Sequence, residues 1–221
     1  LPRRDSVRLV ETVVELCKTR LPDKMGIPAE ELQVLTPTRR GDAGTRSLNF
    51  ALQAALNPPT PGKKERRFGE LIFREGDRVM QTRNDYDVVW QKEDGTAGTG
   101  IFNGDVGKIA KIDPSGELLE IAFDDRTATY TSDMLAELDM AYAMTVHKAQ
   151  GSEYRGVVFV GAPCAPSLMV RGVLYTAITR ARELLVIVGD DSAVNKMAEN
   201  DRRSRRYSGL KWRLRKGGEE K

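Results

Sequence analysis

The stretch TVHKAQGSEY, residues 145–154, holds the chain's one histidine. His147 is followed at once by Lys148, then by Gln150, Gly151 and Glu153. A histidine in such company can act as a general base, bind a metal or touch a ligand. The metal role needs partners, and two scattered cysteines with one histidine do not make a zinc site. Serine and cysteine triads fail as well, because no G-x-S-x-G elbow is present and no second histidine remains. A phosphate-binding loop is also missing: neither Gly62-Lys63 nor Gly107-Lys108 is followed by Ser or Thr, and neither has the upstream glycine. Arg180 and Arg182, in AITRAR, offer another chemistry. A guanidinium there can stabilise charge on a transferred phosphoryl group. It can equally complement a helix C-terminal dipole, worth about 0.3–1 kcal/mol. At this level both readings stay open.

The elements that must position these residues follow from periodicity. Val10, Val13, Val14 and Cys17 recur at helical spacing behind Asp5 and Ser6, which suit a helix start. LQVLTP reads as a buried strand, and Leu48, Leu52 and Leu56 resume a helical stripe. NPPTPGKKERR reads as a linker. After Glu70 come short strands with Gly- and Asp-rich turns. In ELLEIAF, Leu119, Ile121 and Phe123 alternate with polar or small residues, and DPSG suits a type I turn. Several short strands in about 65 residues predict a small SH3-like barrel. GVVFVGA and LLVIVGD are Val/Ile-rich runs of the kind found in parallel sheets. Between them, SLMVRGVLYTAITRAR predicts a crossover helix with Leu174, Ala177, Ile178 and Ala181 on its apolar stripe. The predicted fold class is α/β, with a small β barrel inserted.

Composition sets further bounds. The chain has 221 residues, is 40% hydrophobic and 30% charged, and carries a formal net charge of +3. No apolar run approaches the roughly 18 residues of a membrane span. The start, LPRRDSVRLV, resembles neither a signal peptide nor a Met-led terminus and reads as cut from a longer chain. Two buried free thiols, Cys17 and Cys164, are expected, which points to a reducing cytoplasm. Charge is uneven: residues 71–138 hold seven Lys/Arg against fourteen Asp/Glu, whereas 195–221 hold ten against four. The basic tail, RRSRRYSGLKWRLRK, can neutralise phosphates or form a solvated helix.

Longer strings carry a resemblance. LDMAYAMTVHKAQGSEYRGVVFV is similar to motif V of superfamily 1 helicases, and RGVLYTAITRARELLVIVG to their motif VI, in the same order and at normal spacing. IFREGDRVMQTRNDYD and FNGDVGKI resemble the strand and SH3-like insertion of the RecD-like branch, and QVLTPTRRGDAGTRSLNFALQ its motif IV region. Over most of residues 30–190 the chain resembles the C-terminal part of a RecD/TraA-type DNA helicase (exodeoxyribonuclease V alpha-subunit-like).

The resemblance implies a RecA-like, P-loop-NTPase-type second motor domain with an inserted SH3-like barrel. Residues 1–70 would form its first segment, 71–138 the barrel, 139–200 the second segment and 201–221 a basic tail. It implies that Arg180 reaches the ATP γ-phosphate and that Glu153 lies near the ribose, with Gln150 and Gly151 in the same turn. Arg40 would approach the γ-phosphate, and Arg46 takes the spacing of a second arginine. Thr145, His147 and Lys148 would face single-stranded DNA, with local barrel contacts through Asn103, Lys108 or Lys111. Phe102, Tyr86 and Trp90 can stack on bases or serve as packing. Walker A and B are absent, so ATP and Mg2+, the ion held by a first RecA-like domain, imply that domain as a partner. The chain alone is then expected neither to hydrolyse ATP nor to unwind DNA, while the intact protein would move 5′→3′ in repair, recombination or conjugation. A second class of reading is a non-enzymatic nucleic-acid-binding or partner-docking module built on the barrel and tail.

Overall fold

The computed structural model describes residues 1–3 and 5–202. Most of the predicted basic tail, residues 203–221, lies outside the described residues.

The first helix, α1 (Ser6–Glu15), begins where Asp5 accepts a hydrogen bond from the Arg8 amide at 2.8 Å. It continues through a π-helical turn, Leu16–Arg20, into the short α2 (Leu21–Met25), which Gly26 ends at φ 63°. Leu9, Val13, Leu16 and Cys17 are buried, with Val10 and Val14 packed alongside. Strand β1 (Leu32–Thr36) is buried at every position. It is followed by a loop, residues 37–44, and α3 (Thr45–Leu56), whose Leu48 and Leu52 face the same core.

The chain then leaves this body. A hairpin of β2 (Glu65–Phe68) and β3 (Leu71–Arg74) comes first. The residues read as a linker therefore end in a strand, because Arg74 pairs with Glu65 across the hairpin at 2.6 Å and fixes its register. Six more strands are β4 (Arg78–Gln81), β5 (Asp85–Lys92), β6 (Ala97–Ile101), β7 (Val106–Ile112), β8 (Leu118–Phe123) and β9 (Arg126–Thr131). With β10 (Leu138–Met140) they form an antiparallel sheet in the order β10–β4–β7–β8–β9–β5–β6. It curls around Val79, Ile109, Leu119, Ile121, Phe123 and Tyr130, all fully or almost fully buried. The DPSG turn is as expected: Gly116 N–H bonds to the Asp113 carbonyl at 3.1 Å, and burial holds the alternation of Leu119, Ile121 and Phe123.

The chain returns through β11 (Ala143–Thr145), β12 (Tyr154–Gly161), α4 (Arg171–Ile178), β13 (Ala181–Gly189) and α5 (Asp191–Glu199). The result is a four-stranded parallel sheet in the order β11–β1–β12–β13. Helices α1 to α3 cover one face and α4 and α5 the other, as the core clusters show. The α/β class with an SH3-like insertion is thus the observed one.

Three details depart from the periodicity. Helix α4 stops at Ile178, so Ala181 and Arg182 begin β13 and are not helical. The cause is tertiary: Ala181 pairs with Tyr154 on the neighbouring strand. Leu184 to Ile187 are only partly buried, because β13 is the sheet's edge. Cys17 is buried, but Cys164 sits half-buried in a loop.

Body and barrel are joined by polar and apolar contacts. Met80 of β4 is buried in the same core as Leu35, Val146, Ala149, Phe159 and Leu174, with Val106 of β7 packed on it. Beneath the hairpin, fully buried Asp77 accepts hydrogen bonds from Gln53 Nε2 (2.5 Å), Asn57 Nδ2 (2.6 Å), Tyr142 OH (2.9 Å) and the Arg74 amide (2.7 Å). Asn49 of α3 bridges the carbonyls of Met140 and Ala143, both at 2.9 Å, and accepts from the Ala143 amide.

Candidate functional site

The strand register separates the candidate residues into two groups. Thr36, the last residue of β1, lies opposite Thr145, whereas Leu32, the first, lies opposite Gly156. At 3.3 Å per residue these levels are about 13 Å apart. Residues 146–153 cross from one to the other over β1. Val146 and Ala149 anchor this crossover, being fully buried in the core beneath α4.

At the lower end sits Arg180, in the turn between α4 and β13. Its carbonyl accepts the Tyr154 amide at 2.8 Å. Its half-buried guanidinium donates to the Ser152 carbonyl (2.8 Å), the Thr176 carbonyl (3.2 Å) and Thr179 Oγ1 (3.2 Å). All three acceptors are neutral, so the positive charge has no carboxylate partner among the described residues. Glu153, Gln150 and Gly151 are exposed beside it, and Gly151 turns the chain at φ 91°, where side chains are disfavoured. The structure therefore brings Arg180 and the residue 150–153 turn together.

At the upper end, Thr145 closes β11, His147 is exposed and Lys148 points to the barrel. Lys148 Nζ contacts Asn103 Oδ1 and lies 3.5 Å from the Thr82 carbonyl, while the Asn103 amide donates to Asn84 Oδ1 at 2.9 Å. Two residues predicted separately as strand contacts thus touch one another. Burial lowers the Lys148 pKa, and repulsion from nearby Arg39 adds to the shift. Arg39 itself is held by Asp139 at 2.7 Å. Arg40 and Arg46 are also at this end, on the loop after β1 and the first turn of α3. Arg40 is exposed, and Arg46 makes a surface ion pair with Glu70. The register does not bring them to Arg180. Lys108 and Lys111 lie farther along β7, Lys108 directly opposite Arg78 and Lys111 beside Glu120.

Sequence reasoning left the aromatic residues undecided, and their surroundings now differ. Tyr86 is 66% exposed and Phe102 40%, their ring centroids 5.7 Å apart in an edge-to-face pair close to Asn84 and Asn103. Trp90 is packing: its ring lies against Gly98 and beneath Arg126, whose guanidinium is 5.5 Å from the ring centroid. Among the described residues no group of three His, Cys, Asp or Glu could hold a metal ion. No described helix is long and apolar enough to cross a membrane.

Two family models match the chain in succession. Residues 48–123 match the SH3 domain of ATP-dependent RecD-like DNA helicases, and residues 140–188 match the UvrD-like helicase C-terminal domain. The chain belongs to the RecD-like helicase family. Among curated relatives, the ATP-dependent RecD2 DNA helicase of Deinococcus radiodurans is 38% identical over 79% of this chain and 22% of its own length. The RecBCD enzyme subunit RecD of Mycolicibacterium smegmatis is 30% identical over 86% of this chain and 30% of its own. The chain thus spans less than a third of the length of these relatives. A solved structure of Pif1 helicase from Bacteroides, in complex with ADP-AlF3 and ssDNA, aligns with 98% of this chain and 51% of that one, at 17% identity and a TM-score of 0.49. In this RecD-like chain the strings that resemble motifs V and VI fall on the crossover and on the α4–β13 turn described above.

Proposed function

We propose that this chain is the second motor domain of an ATP-dependent DNA helicase, with residues 1–70 and 139–200 as its two segments and 71–138 as the barrel insertion. Arg180 acts as the arginine finger. The supporting observation is its guanidinium, held on neutral carbonyls beside Glu153 and forming no ion pair among the described residues. An anion brought against this end by a first RecA-like domain would meet a preoriented cation. Glu153, with Gln150 and Gly151, lines the same end for the nucleotide's ribose. ATP with Mg2+ is the substrate of the intact enzyme, the metal held by the first domain, and the chain alone is inactive. Movement is 5′→3′, in the cytoplasm.

Thr145, His147, Lys148 and Asn103 contact single-stranded DNA at the other end, with Tyr86 and Phe102 exposed there for base stacking. Arg40 and Arg46, which the resemblance assigns to the ATP γ-phosphate, carry positive charge toward that phosphate, and Lys108 supplies a further DNA contact from the barrel. The crossover 146–153 then couples the two ends, since DNA pressing on His147 moves the segment that carries Ser152 and Glu153.

The test uses the full-length protein. Arg180→Ala should lower DNA-stimulated ATP turnover by about 10³-fold with the fold intact, as expected for loss of an arginine finger. Turnover within a few-fold of wild type would end this reading. His147→Ala should reduce stimulation by DNA more than basal turnover; a selective loss of basal turnover would refute the coupling role.

A further inference from the structure

A cleft of about 950 Å³ opens where the barrel meets the N-terminal ends of the parallel strands. Arg78 and Lys108 both line it and lie directly opposite one another on β4 and β7. Like charges in directly opposed cross-strand positions repel and destabilise a sheet. Neither cation forms an ion pair among the described residues. The Arg78 guanidinium is half-buried, 5.9 Å from the centroid of the Tyr154 ring. Its Nη1 donates to the carbonyls of Leu32 (3.0 Å) and Glu30 (3.5 Å), which orients the group. Nε and Nη2 have no hydrogen-bond partner among the described residues, and together they form the side-on fork that matches two oxygens of one anion. Of the acids on the walls, Asp105 is taken by Arg126 at 3.0 Å and by the Phe102 amide, while Glu30, Asp124 and Glu153 make no ion pair with either cation.

We propose that this cleft binds a phosphate-class oxyanion, with the Nε–Nη2 edge of Arg78 gripping two of its oxygens and Lys108 closing from the facing strand. The anion relieves the cross-strand repulsion and supplies the partner that the oriented guanidinium lacks. Its source is a free phosphate or phosphomonoester, or a phosphodiester of a nucleic acid strand. The cleft shares Glu153 with the proposed nucleotide end and Lys108 with the proposed DNA contacts, but its test reads Arg78 directly and uses neither Arg180 nor ATP turnover.

The test follows the Arg78 Nε–Hε resonance in the isotopically labelled 221-residue chain at constant ionic strength. Sodium phosphate is titrated in one arm, an oligothymidylate with hydroxyl ends in another, and sodium chloride as control. A saturable shift at Arg78 with phosphate identifies a free phosphate group, and one with the oligonucleotide alone identifies the strand; either supports the site. Removing a charge-assisted contact by Lys108→Gln or Arg78→Gln should weaken binding about ten-fold. Lys108 is exposed, so its variant reports even if Arg78→Gln unfolds the chain, and Arg83→Gln should leave affinity unchanged. No saturable shift in either arm, a shift equal to that with chloride, or indifference to Lys108→Gln would overturn the proposal.

Discussion

Replacing Asp77 with alanine probes the joint between barrel and body most directly. Four donors converge on its carboxylate, but they are not equally dependent on it. Gln53 Nε2 also reaches the Ile72 carbonyl at 2.7 Å, and Asn57 Nδ2 the Glu75 carbonyl at 3.1 Å. The Arg74 amide and the Tyr142 hydroxyl have Asp77 as their acceptor. Orphaning two buried donors costs about 1–3 kcal/mol each. Relief from burying a carboxylate offsets part of this, leaving a net loss of about 3 kcal/mol. Urea unfolding followed by Trp fluorescence and far-UV circular dichroism measures it. A loss below about 1 kcal/mol would refute the idea that these bonds hold the junction.

The same residue carries a pH signature. Burial is the largest influence on Asp77 and raises its pKa above the ordinary 3.8, against the pull of its four donors. Between those two values the folded state keeps a proton that the unfolded state has lost. Stability from this group is therefore full below the ordinary value and falls as pH rises through the folded one. Asp77→Ala should remove that downward slope from the stability–pH curve, and an unchanged slope would assign it elsewhere.

Other outcomes are open to simpler tests. A Cβ on Gly98 would overlap the Trp90 ring, so Gly98→Ala should cost about 1–3 kcal/mol and shift Trp fluorescence; an unchanged urea midpoint would contradict the packing. Burial pushes the Cys17 thiol up to about 12, whereas Cys164 is half-buried, so a thiol reagent at pH 8 should label Cys164 first and Cys17 only on unfolding. Equal labelling rates in the native protein would rule this out. Tyr86→Ala and Phe102→Ala should each weaken oligothymidylate binding by about 1–3 kcal/mol while leaving the fold intact, because both rings are exposed. Fluorescence anisotropy with a labelled oligonucleotide reads the change, and unaltered affinity would remove the rings from the interface.

What could be read from the sequence was whatever rests on local periodicity. The α1 cap at Asp5, the alternation in β8, the DPSG turn and the apolar core of β12 each depend on neighbours along the chain. The end of α4 depends instead on Ala181 pairing with Tyr154, twenty-seven residues away, and helical spacing carried on past it. Buried polar residues were unreadable for the same reason. Gln33, Asn49, Asn57 and Asp77 look like surface residues until the carbonyls and donors of distant segments surround them. In the candidate site, motif strings found Arg180, Glu153 and Lys148, but not that Lys148 meets Asn103 or that Arg78 opens onto a cleft. Those facts belong to the packing of barrel on body.

That packing also limits how freely the barrel can be moved between proteins. Met80 and Val106 fill space under residues 146–149, and Met140 and Tyr142 pack into the barrel's own core as the chain leaves it. A barrel excised at its two crossing strands would expose a greasy scar and leave the crossover without a floor. A transplanted one would need its recipient's floor recarved around it. The insertion behaves less as a detachable attachment than as a keystone, set late into the chain yet bearing on stones laid before and after it.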